Sequence, residues 1–150
     1  MADLITSSSE RERELNEALE ALHFTFRAVV AKPDAVLAEH GLSRVHHRIL
    51  YFVGRNPGLS VNELLAILNV SKQSLNAPLR QLIDQEWVAW APDPADRRVK
   101  RLRLAKKGAK LEEILSGDQR RRFERAFRQA GKESEAAWRK VMHLLAENKT

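Results

Sequence analysis

SVNELLAILNVSKQSLNAPLRQLIDQEWVAWAPDPADRRVKRLRL, residues 60–104, contains two short helices followed by a hairpin with a basic tip. Ser60 stands as the N-cap of the first helix, and Glu63, three residues on, completes the pattern of a capping box. Leu64, Leu65 and Leu68 supply its buried side. The chain restarts at Ser71, a second cap, after which Leu75, Leu79, Leu82 and Ile83 recur at helical spacing on one face. Opposite them Gln73, Asn76, Ala77 and Arg80 fall at i, i+3, i+4 and i+7. Gln, Asn and Arg are the side chains that make paired hydrogen bonds to base edges in a major groove, although any surface helix carries a polar face.

The hairpin tips that balance. Trp87–Trp90 and Val99–Leu104 have strand composition, and the loop between them holds Pro92, Asp93, Pro94, Asp96, Arg97 and Arg98. On the second strand Arg101 and Arg103 share a face with Val99, while Leu102 and Leu104 point the other way. Arg97, Arg98, Lys100, Arg101 and Arg103 are answered only by Asp93 and Asp96. A tip of that kind suits a phosphate backbone or a minor groove.

Asp96-x-Arg98-x-x-Arg101, followed by Leu104-Ala105-x-x-Gly108 and preceded by the two helices, resembles the wing signature of the MarR family of bacterial winged helix-turn-helix transcriptional regulators. The resemblance covers the whole chain. It implies a mostly α fold with a small β-hairpin wing: a winged helix-turn-helix part at 43–108, flanked by helical dimerisation parts at 9–40 and 109–147, all in a single domain. It makes 71–85 the recognition helix, with Ser71, Lys72, Gln73, Ser74, Asn76, Ala77 and Arg80 as DNA contacts. Arg97, Arg98 and Lys100 join them from the wing. Asp96 would hold Arg98 for the minor groove by a charge-assisted hydrogen bond, and Arg101 would steady the wing or touch phosphate.

Two residues depart from the family pattern. Ala105 stands where a threonine hydroxyl usually caps the next helix, so that helix is expected to start late or fray. Pro78 falls inside the recognition helix, where it lacks an N–H and crowds the carbonyl of Ser74 at a cost of roughly 3 kcal/mol or more. Either the helix is irregular there, or it begins near Ala77 with Pro78 in its first turn.

Outside this stretch, Ser9 with Glu12 is another capping-box pattern, and Leu15, Leu19, Leu22, Phe26 and Val29 or Val30 keep an apolar stripe to about Ala31. Residues 1–8 read as unstructured. Lys32-Pro33-Asp34 interrupts the helix, a short turn follows over 35–40, and Gly41 ends it. Ser43 then caps a helix over 44–55 with Val45, Ile49, Phe52 and Val53 inside, and Asn56-Pro57-Gly58 is a turn. Beyond Gly108 the apolar residues Leu111, Ile114, Leu115, Phe123, Phe127, Trp138, Val141, Met142 and Leu145 again follow a helical repeat, with breaks or bends expected at Gly117 and Gly131. The Arg120–Arg122 run reads as a solvated helix face.

The net charge of +6 is unevenly placed: −4 over residues 1–40 (4 basic, 8 acidic), +8 over 41–110 (13 and 5) and +2 over 111–150 (9 and 7). A basic centre beside an acidic arm fits a chain that meets a polyanion with one part and protein with another. Cysteine is absent, which excludes disulfides and thiolate chemistry. No apolar run approaches the roughly 20 residues of a membrane span, and the start of the chain is unlike a secretory signal, so a cytoplasmic, nucleoid-associated protein is expected.

No phosphate-binding glycine loop, zinc-protease motif or nucleophile elbow occurs, so the expectation is a non-enzyme without cofactor or metal. The five histidines lack the spacing that puts two imidazoles on one helical face. Apolar stripes at both ends imply a homodimer, and the resemblance implies two heads reading a pseudo-palindrome with half-sites on the order of 10 base pairs apart. It also implies a crevice for a small aromatic acid effector, for which His23, Phe26, His46 and Tyr51 are candidate lining residues. The reading reached is a double-stranded DNA-binding regulator acting as a repressor. A winged-helix protein-interaction module and a weakly specific architectural DNA binder are the alternatives.

Overall fold

The computed structural model describes the backbone of residues 2–147 and the side chains of residues 9–147. Six helices and one hairpin follow in the order α1 (Ala2–Glu39), α2 (Arg44–Arg55), α3 (Val61–Leu68), α4 (Lys72–Asp84), β1 (Val88–Pro92), β2 (Lys100–Leu104), α5 (Lys106–Ala130) and α6 (Lys132–Glu147). The hairpin is antiparallel, with Val88 opposite Leu104 and Pro92 opposite Lys100. The peptide Gly58–Ser60 adds a short third edge: Leu102 N–H donates to the Leu59 carbonyl at 2.9 Å, and Gly58 N–H donates to the Leu102 carbonyl at 2.7 Å. Pro92, expected in the loop, closes β1 instead, at the strand end where its missing N–H costs the ladder nothing.

The core lies where α2, α3, α4, the hairpin and the start of α5 converge. Ile49, Leu50 and Val53 of α2, Leu64 of α3, Leu82 of α4 and Leu102 of β2 are all fully buried. Leu50, which the stripe for α2 omitted, is as deep as its neighbours, whereas Val45 and Phe52 are half-buried.

Helix α1 differs most from expectation. It starts at Ala2, so Ser9 is inside the helix and caps nothing, because no proline or glycine in 2–8 stops the helix from extending upstream. Met1 lies outside the described residues. Pro33 does not interrupt the helix either. Its ring is fully buried, and the carbonyl it orphans one turn back, that of Val29, accepts from Gln119 Nε2 of α5 at 3.4 Å. Packing and one borrowed donor therefore offset the lost backbone bond. The helix ends as expected: Gly41 adopts φ +68°, and Leu42 N–H bonds back to the Leu37 carbonyl at 2.9 Å in a Schellman-type closure.

Helix α5 also starts on time. Ala105 occupies its N-cap without a side-chain hydrogen bond, and its N–H donates to the Trp87 carbonyl at 3.0 Å. Gly108 is buried against that same carbonyl, so closely that a Cβ built there would stand 1.9 Å from the oxygen. A tertiary contact at the wing root thus pins the start of α5 through the N–H of Ala105 itself, without serving the first-turn amides that a capping hydroxyl would take. The helix continues through Gly117 and stops at Gly131, whose φ of +98° suits glycine alone. α6 returns along α5 through Phe123, Phe127 and Trp138, whose ring centroids lie 5.3–5.6 Å apart.

Gly108→Ala is expected to lower stability by about 1–3 kcal/mol or more through overpacking against backbone, which urea unfolding would measure as a lower midpoint with an unchanged slope.

Candidate nucleic-acid interface

The recognition-helix segment forms one unbroken helix, so the alternative in which it begins near Ala77 is excluded. Ser71 caps it: its Oγ accepts from Ser74 N–H at 3.1 Å and lies 2.8 Å from Ser74 Oγ. Leu75, Leu79 and Leu82 face the core and Pro78 is half-buried at its edge, while Lys72, Gln73, Asn76, Ala77 and Arg80 are exposed. Pro78 is accommodated within the unbroken helix, half-buried at the margin of its apolar face.

The wing is held by its two aspartates. Asp93 Oδ1 accepts from the N–H groups of Ala95 (2.7 Å) and Asp96 (3.3 Å), which folds the tip. Its Oδ2 takes Nε and Nη2 of Arg101 at 2.9 and 2.7 Å. Arg101 reaches further with Nη1, to Glu63 Oε1 of α3 at 3.0 Å and to the Gly58 carbonyl at 3.4 Å. One guanidinium thereby joins wing, helix α3 and the connecting strand. Arg101 pairing holds the Asp93 carboxyl below the usual carboxylate range, with the Ala95 amide adding to it. The same carboxylate, followed by Glu63, raises Arg101.

Asp96 holds Arg98 in a second, smaller clasp. Its Oδ1 accepts from Arg98 N–H and Nε at 3.1 and 3.0 Å, and its Oδ2 from Nη2 at 3.2 Å. The Arg98 side chain remains 91% exposed while so oriented. Its hydrogen bonds to Arg98 pull the Asp96 pKa down as well.

Recognition helix and wing border a single groove of about 520 Å³. Lys72, Asn76 and Arg80 line it from α4, and Arg98 and Lys100 from the wing, with Asp84 as the only carboxylate. Gln73, Ala77 and Arg97 stand outside it on exposed surface. Sequence reasoning missed Trp90, which lines the groove with its ring under Lys100 Nζ at 4.8 Å. Its strand position, flanked by the exposed Ala89 and Ala91, was the available signal. Glu63 and Asp93 were also missed as anchors of Arg101. They come together only in three dimensions.

The proposed effector residues are scattered. His23 and Phe26 are exposed on α1, Phe26 lying under the Arg44 guanidinium at 5.2 Å. Tyr51 is at the surface of α2 beneath Arg55 at 4.8 Å. His46 is buried and bonded through both ring nitrogens. A second cavity, of about 340 Å³, opens at the α1–α2 corner between Asp34, Leu42, Ser43, Arg44 and Val45, and contains none of the four. Among the described residues no cluster of three or more His, Asp or Glu is placed to hold a metal, and no helix is long and apolar enough to cross a membrane.

Comparison with known proteins settles the lineage. Residues 40–99 match the sequence pattern of the MarR family, and the chain is 40% identical over 136 residues to the HTH-type transcriptional regulator PetP of Rhodobacter capsulatus, spanning 91% of this chain and 82% of that protein. The chain belongs to the MarR family. Among solved structures, MarR-type folds are shared with Streptococcus pneumoniae FabT in complex with DNA (TM-score 0.78, 19% identity, 89% of this chain and 95% of that one). NadR in complex with 4-hydroxyphenylacetate is similar too (TM-score 0.66, 22% identity, 90% and 91%). As a MarR-family protein it is a DNA-binding transcriptional regulator, and not an enzyme.

Asp93→Asn removes the negative charge that Arg101 and two wing amides converge on. Faster hydrogen exchange over 93–101 is expected, with α2 and α5 unchanged. The sign of the pH effect follows from the depressed carboxyls: the wing's ion pairs are intact above about pH 4 and are lost as pH falls through the folded-state values of Asp93 and Asp96. Exchange at the wing tip, compared between pH 6 and acid, measures it.

Proposed function

We propose that this regulator reads a pseudo-palindromic operator as a homodimer and acts as a repressor by occluding a promoter. The observation that carries the reading is the shared groove, with Asn76 and Arg80 on its helical wall and the Asp96-clasped Arg98 on its wing wall. A DNA strand lying there would put the exposed α4 row, including Gln73 and Ala77, in a major groove and Arg98 in the adjacent minor groove. Ser71, Ser74, Lys72, Arg97 and Lys100 would meet phosphate. Arg101, already held by two carboxylates, would act by keeping the wing at its angle.

Dimerisation is supported by unpartnered apolar surface. Leu15, Leu19, Leu22 and Phe26 of α1 and Val141, Leu144 and Leu145 of α6 are 48–66% exposed, and α6 has no buried residue. Residues 9–40 and 109–147 would form that interface and 43–108 the reading head.

For an effector, NadR's complex with 4-hydroxyphenylacetate motivates an aromatic acid. The site would lie at the α1–α2 corner, where the 340 Å³ cavity adjoins the Arg44–Phe26 stack. Phe26 stacks under the lining residue Arg44, and His46 lies one hydrogen bond behind Ser43.

Fluorescence anisotropy against duplex DNA from the chain's own upstream region and a scrambled duplex tests the main reading. A preference of about a thousandfold or more is expected, weakening steeply with salt. Equal binding to both would favour an architectural role, and no binding at low salt would end the DNA reading. Arg98→Ala should weaken operator binding roughly tenfold or more, whereas Lys72→Ala, lost from both heads of the dimer, should lower the salt slope by about two. Leu19→Asp should convert the dimer to monomer in sedimentation velocity. A thermal-shift screen of aromatic acids should show stabilisation that Phe26→Ala removes.

A further inference from the structure

Leu75, Leu79 and Leu82 turn one face of α4 to the core, and hydrophobic contact, being non-directional, leaves the fine setting of the helix to other bonds. Pro78 further denies the helix the bond that would tie its middle to Ser74. Directional control comes from a chain of hydrogen bonds at the opposite edge. Gln81 Nε2 donates to the Gly41 carbonyl at 3.2 Å, and Gln81 Oε1 lies 3.0 Å from His46 Nε2. His46 Nδ1 in turn accepts from the Ser43 backbone N–H at 3.0 Å, with Ser43 Oγ 3.2 Å away. His46 is 7% exposed and stands at the third position of α2, where a capping box usually has Glu or Gln.

The direction of every link is fixed by the ends. A backbone N–H can only donate, so Nδ1 carries no proton. A backbone carbonyl can only accept, so the Gln81 amide nitrogen faces Gly41 and its oxygen faces the imidazole. Nε2 must then be the protonated nitrogen. The ring is neutral and of one tautomer. A second proton would have to go on Nδ1, where it breaks the 3.0 Å bond from the Ser43 N–H and leaves the ring to turn toward the Ser43 hydroxyl oxygen at 3.2 Å, so the cap and the ring setting change together.

We infer that His46, acting through Gln81, is a positioning residue for the recognition helix, and that it can act only as the neutral Nε2–H ring, so operator affinity falls as Nδ1 takes up a proton. This rests on the DNA-reading assignment of α4. The surrounding charges do not oppose it. Asp34 of α1 and Arg44 of α2 are paired with each other at 2.9 Å, His47 turns away to Ser116 of α5, and α4 presents the neutral Gln81. Burial depresses the His46 pKa, with the Gln81 bond opposing it weakly, and burial depresses His47 likewise. For a base depressed in the folded state, the native arrangement is fully favoured above the unfolded value of 6.5 and is lost as pH falls below it through the folded value.

The test compares wild type with His46→Gln, Gln81→Met and, as a control for the other buried imidazole, His47→Gln. Each is titrated at constant ionic strength between about pH 8 and pH 5.5 against the upstream duplex. Glutamine at 46 can accept from Ser43 and donate to Gln81 but does not titrate. His46→Gln should therefore bind within about threefold of wild type at pH 8 and escape the loss, at most about tenfold per protomer by pH 5.5 for a base held below 6.5, that wild type and His47→Gln suffer on acidification. Gln81→Met should bind about tenfold more weakly at pH 8 while remaining folded, with a melting temperature lower by a few degrees because the His46 Nε2–H loses its acceptor. A wild-type pH profile retained in His46→Gln, or wild-type affinity in Gln81→Met, would overturn the inference. Two readouts need no DNA. Nitrogen chemical shifts of His46 should report an unprotonated Nδ1, the opposite tautomer overturning the proposal, and α4 amides should exchange faster in Gln81→Met than in wild type at equal pH, equal rates likewise overturning it. If no duplex is preferred, the operator reading fails while these two measurements still decide the role of His46.

Discussion

The reading head depends on where Arg101 places its guanidinium. A two-stranded hairpin has too little apolar surface to hold itself in a fixed direction, and only Val88 and Leu102 of this one are buried. Arg101 gathers Asp93, Glu63 and the Gly58 carbonyl around a single planar group, so the hairpin, α3 and the strand before α3 share one reference point. The Asp96–Arg98 clasp is built on that platform, and so is the groove between wing and helix α4. The charge left facing solvent and the charge that aligns the wing are thus divided between neighbouring arginines with opposite exposure: Arg98 at 91% and Arg101 at 35%.

A comparable division runs through the histidines. His46 looks toward α4 and His47 toward α5, as adjacent helical residues diverging by about 100° must. On the α5 side Glu112 is buried and satisfied by Arg55 Nη2 at 2.6 Å. Polar links of this kind are costly if half-made, so they fix geometry where apolar packing alone would leave it adjustable. α2 becomes the element through which the flanking helices and the recognition helix are aligned to one another.

Much of this was legible in the sequence because it is local. The caps at Ser60 and Ser71, the leucine faces of α3 and α4, the stop at Gly41 and the hairpin follow from spacing and residue chemistry within a few positions. What was not legible was compensation from afar. Pro33 reads as a helix breaker until Gln119, far along the chain, supplies the donor that Val29 lacks. Ala105 reads as a weak start until Gly108 lets α5 close on the Trp87 carbonyl. The anchors of Arg101 and the place of Trp90 in the groove depend on how α3, α4 and the wing fold against one another, a relation that no periodicity encodes. For the same reason the four residues suggested for an effector shared a chemistry without sharing a cavity.

The unbroken course of α1 has a mechanical consequence. At 1.5 Å per residue, its 38 residues run about 57 Å to the Gly41 corner, and its later turns are tied to α5 through Val29 and Gln119. Were the helix to turn about that corner, an excursion of about 5 Å at the far tip would correspond to a tilt of only about 5°. Had Pro33 divided the helix, the same excursion would have been absorbed in a hinge, and little of it would have reached the corner where α1 meets α2.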